Sequence, residues 1–152
     1  MAARLIGPQI VQPEALRMVQ ERSGSALFVT RGPKGLTGVL ALIPLSSEGL
    51  NALESGRFDS LAPQPAEIAM IGQEPEAIYV WGIAAIRKMA GAWLSNGLLA
   101  VFDEATPHLP YFARAATSAG EHLLLRVGFA PHPGPITGLL RRAPALTRRV
   151  AA

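Results

Sequence analysis

The chain has 152 residues, 49% of them hydrophobic and none of them cysteine. It is therefore long enough for one domain with its own core, and a disulfide framework, a thiolate zinc site and a cysteine nucleophile are all excluded. Fourteen basic against 11 acidic residues leave a net charge of only +3, a weak attraction for nucleic acid, which is disfavoured as a partner.

No stretch approaches the roughly 18 apolar residues of a membrane span, and MAARLIGPQIVQPEA lacks the apolar core of a signal peptide. The expectation is a cytoplasmic protein that does not enter a membrane. Pro13 suits the first position of a helix, and PEALRMVQERSG places Ala15, Leu16, Met18 and Val19 on one face before Gly24 stops it. SALFVT, the turn RGPKG and LTGVLALIPL then read as an antiparallel hairpin. Leu27, Phe28, Val29, Val39, Leu40, Leu42 and Ile43 are its expected core, and Pro44, which cannot donate a ladder hydrogen bond, is expected to close the second strand. SSEGLNALESGRF follows as a short Ser-capped helix ending near Gly56. Asp59 to Glu76 carries Pro63, Pro65 and Pro75 with no clear period. Loops of this length are often functional, so it is either a wall of a binding site or a connector.

The rest of the chain is organised around Ala77 to Phe129. AIYVWGIAA is a nearly continuous apolar run, the pattern of a central strand covered on both faces. Gly82 inside it either permits a bulge or a close approach of another backbone or a ligand, or relieves crowding beside Trp81. After Ala85 the period becomes helical, with Ile86, Met89, Ala90, Trp93 and Gly97 on one stripe. Arg87 and Lys88 then stand at a helix start, where free amides and the helix dipole already attract anions, and a phosphate or pyrophosphate suits that place. PYFARAAT and SAGEHLLLRVGF supply a second strand and helix, so the unit is β-α-β-α.

These residues resemble the GNAT superfamily of acyl-CoA-dependent acyltransferases over roughly Ala26 to Ala143. The order of elements carries the likeness, with PYFARAAT as the family's fifth strand, SAGEHLLLRVGF as its fourth helix and following Gly-Phe, and ITGLLRRA as its seventh strand. The family's pyrophosphate turn, Gln/Arg-x-x-Gly-x-Gly/Ala, is similar to Arg87-Lys88-Met89-Ala90-Gly91-Ala92, with Ala90 in place of the first Gly. The resemblance implies an α/β fold with a mixed, mostly antiparallel twisted sheet flanked by helices and a splayed central strand pair. It implies a single domain over residues 1–143 with a basic tail at 144–152 that includes Arg148 and Arg149. Arg141 and Arg142 are expected to join those two in a basic, solvated end. It also implies an acyl-CoA cosubstrate, acetyl-CoA above all, held by Gly82, Ile83, Ala84, Ala85, the six residues from Arg87 to Ala92, and Thr117. The partner is then a small-molecule or peptide amine, and many folds of this kind form homodimers.

One departure bears on mechanism. The family's usual Tyr acid, four residues before the Gly of Gly-Phe, is Leu124 here, and leucine cannot donate a proton. Tyr111 and His122 are the remaining candidate catalytic residues, set against packing for Tyr111 and plain exposure for His122. Thr117 and Ser118 read as helix caps, with Glu121 completing a capping box from Ser118. Glu67, Glu74 and Glu76 precede the central strand and are candidates for a base acting through water, or are solvated loop charges. His108 and His132 sit beside prolines with no third ligand at metal spacing, so no metal is expected. The alternative to an N-acyltransferase is a GNAT-like domain that binds acyl-CoA or a protein without turnover.

Overall fold

The computed structural model describes residues 12–85 and 96–145. Helix α1 (Pro13–Ser23) begins on proline and ends at Gly24, whose φ of 74° is the left-handed conformation that glycine adopts most readily. The hairpin forms as expected, with β1 (Leu27–Gly32) antiparallel to β2 (Gly35–Leu45). Helix α2 (Ser47–Glu54) is capped by Ser46, whose Oγ accepts the Gly49 N–H at 3.2 Å and donates to the Ala66 carbonyl at 2.6 Å. The cap thus also pins the following loop, in which Pro65–Glu67 forms a single 3₁₀ turn.

Strand β3 (Ala77–Ala85) leads towards helix α3, which is helical over residues 96–100 and widens into a π-helical turn at Val101–Ala105. Strand β4 (Tyr111–Arg114), helix α4 (Ser118–Arg126), and strands β5 (Ala130–Pro131) and β6 (Leu139–Arg142) complete the described chain. The six strands make one mixed sheet in the order β1-β2-β3-β4-β6-β5. Every neighbouring pair is antiparallel except β3 and β4.

Alternation along the strands sends side chains to two separate cores, one on each face of the sheet. Leu40, Leu42, Ile78, Val80, Tyr111, Ala113 and Leu140 pack with Leu98 and Phe102 of α3 and Leu124 of α4. Ile43, Leu45, Ala77, Tyr79, Phe112 and Leu139 pack with Val19 of α1 and with Ala52 and Leu53 of α2. The sheet is therefore sandwiched, with α3 and α4 on one side and α1 and α2 on the other.

Four expectations need correcting. Leu27, Phe28 and Val29 are not core: they are 39%, 42% and 44% exposed, because β1 is the first strand of the sheet and has β2 as its one strand neighbour in the order. Pro44 does not close β2, which continues to Leu45. Its carbonyl accepts the Ala69 N–H at 2.9 Å, so its backbone polar edge faces the loop, and its missing N–H takes nothing from the ladder with β3. The cap of α4 is Thr117, whose hydroxyl accepts the Gly120 N–H at 3.1 Å, so Ser118 is the first helical residue and does not form a box with Glu121. Finally, Arg141 and Arg142 do not belong to a solvated tail. They lie in β6, half-buried, and Arg142 donates to the Val127 carbonyl and to Asp103 at 3.0 and 2.9 Å. Arg148 and Arg149 lie outside the described residues.

Candidate functional site at the fork of the parallel strands

The parallel ladder between β3 and β4 is short. It joins Ile78 to Tyr111, Tyr79 to Phe112 and Val80 to Ala113, and stops there. Beyond that point β3 continues to Ala85 against β2, while β4 ends at Arg114 against β6. The two central strands are zipped at their N-terminal ends and part at their C-terminal ends.

A bulge accompanies the parting. Ala41 of β2 opposes Gly82 while Leu42 opposes Val80, so Trp81 is the extra residue. The consequence is visible in the side chains: Val80 and Ile83, three apart, both face the α3/α4 core, whereas Trp81 packs against the α1/α2 core. A bulge slips the period-2 pattern in this way and bends its strand. A Cβ built on Gly82 meets no atom of the described residues within 4 Å, so among them the space beside it is open. The expectation of a bulge or close approach at Gly82 is met by a bulge one residue earlier.

The fork has an ordered wall on the α1/α2 side. Trp81 Nε1 donates to the Ser60 carbonyl at 2.6 Å, and the Phe58 and Tyr79 rings lie 5.3 Å apart. The start of the long loop is thereby fastened to the bulge. Burial pushes the Tyr79 hydroxyl above its ordinary pKa, with a hydrogen bond to Ser60 and the charge of Arg114 pulling the other way. Arg114 is the residue on β4 immediately beyond the last ladder pair.

Two solved structures are similar to the chain: a histone acetyltransferase HPA2 and related acetyltransferase from Corynebacterium glutamicum and another acetyltransferase. The first is 16% identical with a TM-score of 0.48, covering 95% of this chain and 82% of its own. The second is 16% identical with a TM-score of 0.45, covering 78% and 70%. No protein-family model and no curated protein matches the sequence.

The sequence-derived site residues fall in three places. Gly82 and Ile83, with the backbone of Ala84 and Ala85, lie on the open part of β3. Arg87, Lys88, Met89, Ala90, Gly91 and Ala92 lie outside the described residues. The others are on the α4 side of the molecule or in its core. Tyr111 is 0% exposed at the zipped end, its ring edge-on to Phe102 at 4.0 Å and its hydroxyl hydrogen-bonded to Thr106. Burial raises its pKa, the Thr106 hydrogen bond and the charge of Arg142 oppose that rise, and Asp103 adds to it. His122 is exposed on α4, and Thr117 caps the same helix. Leu124, at the position of the family's usual acid, is 6% exposed and built into the core beside Leu98 and Phe102.

The glutamates do not converge. Glu67 is buried, and its Oε2 accepts the Gln64 N–H at 2.8 Å as part of the 3₁₀ turn. Glu74 pairs with His108 at 2.7 Å, with both side chains exposed, and Glu76 is exposed. These two loops precede β3 and β4, so the ion pair marks the zipped end. The long loop also walls a groove of about 490 Å³ with Met18, Glu21, Arg22, Met70 and Ile71. That groove is at the zipped end too, since Arg22 holds the Ile68 carbonyl and Ile68 bridges Leu45, the partner of Ala77. Among the described residues no three His, Asp or Glu side chains cluster as a metal site would require.

Sequence reasoning missed Trp81, Ser60 and Arg114 as parts of the fork. Gly82 was the available signal for the bulge. Nothing in the sequence placed the charge of Arg114 within reach of the Tyr79 hydroxyl, because that depends on the β3–β4 register.

Proposed function

We propose that the protein is an acyl-CoA-dependent N-acyltransferase that moves an acetyl group from acetyl-CoA to an amine. The observation that carries this is the single parallel strand pair in an otherwise antiparallel sheet, zipped for three residues and then parted beside a bulge. From Trp81 to Ala85 the edge of β3 that faces β4 lies beyond the ladder. Its N–H and C=O groups match the amides of a pantetheine arm, which needs a strand-like partner of that kind. The open space at Gly82 allows such an arm to lie against the backbone.

In the transfer, the amine attacks the thioester carbonyl, a tetrahedral oxyanion forms, and the carbon–sulfur bond breaks to release the CoA thiolate while the amine loses a proton. The chain's part is to hold the thioester in line with the amine and to direct a backbone N–H of the bulged strand at the oxyanion. His122 is the group proposed to return a proton to the thiolate, since Tyr111 is buried at the zipped end with its hydroxyl bonded to Thr106. Arg87 to Ala92, with Thr117, are proposed to hold the cofactor's diphosphate, and the reaction needs no metal.

Calorimetric titration with acetyl-CoA tests the reading, and failure to bind at millimolar ligand removes it. A second reading, binding without turnover, is favoured by the burial of Leu124 at the acid position. Supplying acetyl-CoA with a panel of amines separates the two, since free thiol is released by transfer alone. Cytoplasmic location, a single domain with a basic tail, and homodimer formation are further parts of the proposal. None of the described helices is long and apolar enough to cross a membrane.

A further inference from the structure

On the α1/α2 face, at the point where the β3–β4 ladder ends, strands β4 and β6 present a four-residue checker. Phe112 is opposite Arg141, and Arg114 is opposite Leu139. Phe112 and Leu139 belong to the core of that face, so the period of two puts Arg114 and Arg141 on it as well. The two arginines are diagonal neighbours, a spacing of about 7–8 Å in an antiparallel pair. His132 stands over the same spot, its ring edge-on to Phe112 at 5.4 Å, and the Arg141 guanidinium is 5.9 Å from the Phe112 ring.

Among the described residues, neither Arg114 nor Arg141 is paired with a carboxylate. The two ion pairs among the described residues are His108 with Glu74 and Arg142 with Asp103, and neither involves Arg114, Arg141 or His132. Two guanidiniums set diagonally on one face repel each other, and an anion between them reverses the sign of that interaction. Helices α3 and α4 cover the opposite face. On this face Phe112 is buried, while Arg114 is exposed and Arg141 and His132 are half-buried, so an anion reaches the arginines from the surface.

Resting on the acyl-transfer reading above, we propose that Arg114, Arg141 and His132 form an anion site and that the acceptor is an amine carrying a carboxylate. The guanidiniums take the carboxylate by charge-assisted hydrogen bonds, and the amine extends over the surface from Arg114, the residue just beyond the ladder, towards the parted strands. The carboxylate comes from a free amino acid or from the end of a peptide, and both sources share this chemistry.

The test has two arms. In the first, thiol release from acetyl-CoA is followed with amino acids, short peptides and the C-terminal amide of each, at constant ionic strength. The expected result is a KM about tenfold lower for each acid than for its amide, the size of one charge-assisted hydrogen bond. Arg114→Gln and Arg141→Gln remove the preference, and Arg114→Lys restores part of it. Free amino acids preferred over peptides assign the first source, and the reverse assigns the second. In the second arm the His132 Hε1 resonance is followed by NMR during titration with sodium succinate and with succinamide. Saturable movement with succinate alone, lost in Arg114→Gln, supports the anion site without any turnover. Acids and amides used equally, or a His132 resonance indifferent to succinate, overturn it even if acetyl-CoA turns over. Succinate binding with no thiol release from any amine sinks the acyl-transfer reading and leaves the anion site standing.

Discussion

Replacing Trp81 with phenylalanine isolates the tie between the bulge and the loop. The indole ring is half-buried against the α1/α2 core, and its N–H donates to the Ser60 carbonyl at 2.6 Å. Phenylalanine keeps most of the apolar contact and removes the donor, leaving the Ser60 carbonyl without that partner. A net hydrogen bond is worth about 1 kcal/mol. For a chain of this length the loss lowers Tm by about 3 °C. Trp81→Ala removes the ring as well. Full burial of a Trp makes that change cost about 3–5 kcal/mol, and half-burial reduces it to about 2–3 kcal/mol. Chemical denaturation followed by circular dichroism measures both variants. Hydrogen exchange over residues 58–62 adds a local readout, and protection there falls in Trp81→Phe while the β2–β3 ladder keeps its own. Equal denaturation midpoints for wild type and Trp81→Phe, with unchanged exchange at 58–62, would refute the claim that this bond fastens the loop to the bulge.

Leu124→Ala is expected to destabilise the fold by about 2–4 kcal/mol, since its side chain is 6% exposed among Leu98 and Phe102; a loss below about 1 kcal/mol in urea unfolding would show that it is no core residue. Gly49→Ala places a Cβ against the Glu67 backbone carbonyl, which is fixed by its bond to the Ser46 N–H. The expected cost is about 3 kcal/mol, read from the denaturation midpoint, and an unchanged midpoint refutes the close packing of α2 on the 3₁₀ turn. Both tyrosines of the chain, Tyr79 and Tyr111, have pKa values raised above 10.0, chiefly by burial. The folded state then keeps protons that the unfolded state gives up, so stability is fully present below pH 10 and falls as pH rises above it. Absorbance at 295 nm should show less tyrosinate at pH 10 in the folded protein than in the unfolded chain, with the remainder appearing together with loss of the circular dichroism signal; a free, non-cooperative titration centred at pH 10 would contradict their burial.

The sequence by itself determined what local chemistry controls. Pro13 and Gly24 set the ends of α1 and Ser46 capped α2; the helical stripe read from Ile86 to Trp93 lies outside the described residues, and helix is described over residues 96–100. The order of elements, and with it the resemblance to a fold family, followed from those signals. Exposure did not follow, because SALFVT reads like any core strand until the sheet order puts β1 at an edge. Nor did the fate of the arginines. Arg141 and Arg142 are adjacent in a basic run, yet one lies over Phe112 and the other over Phe102, because a strand alternates its side chains between faces. The fork and the cations beside it exist only once β3, β4 and β6 are in register. Pairing between strands is set by contacts far apart in the chain, and no single segment encodes its partner's position.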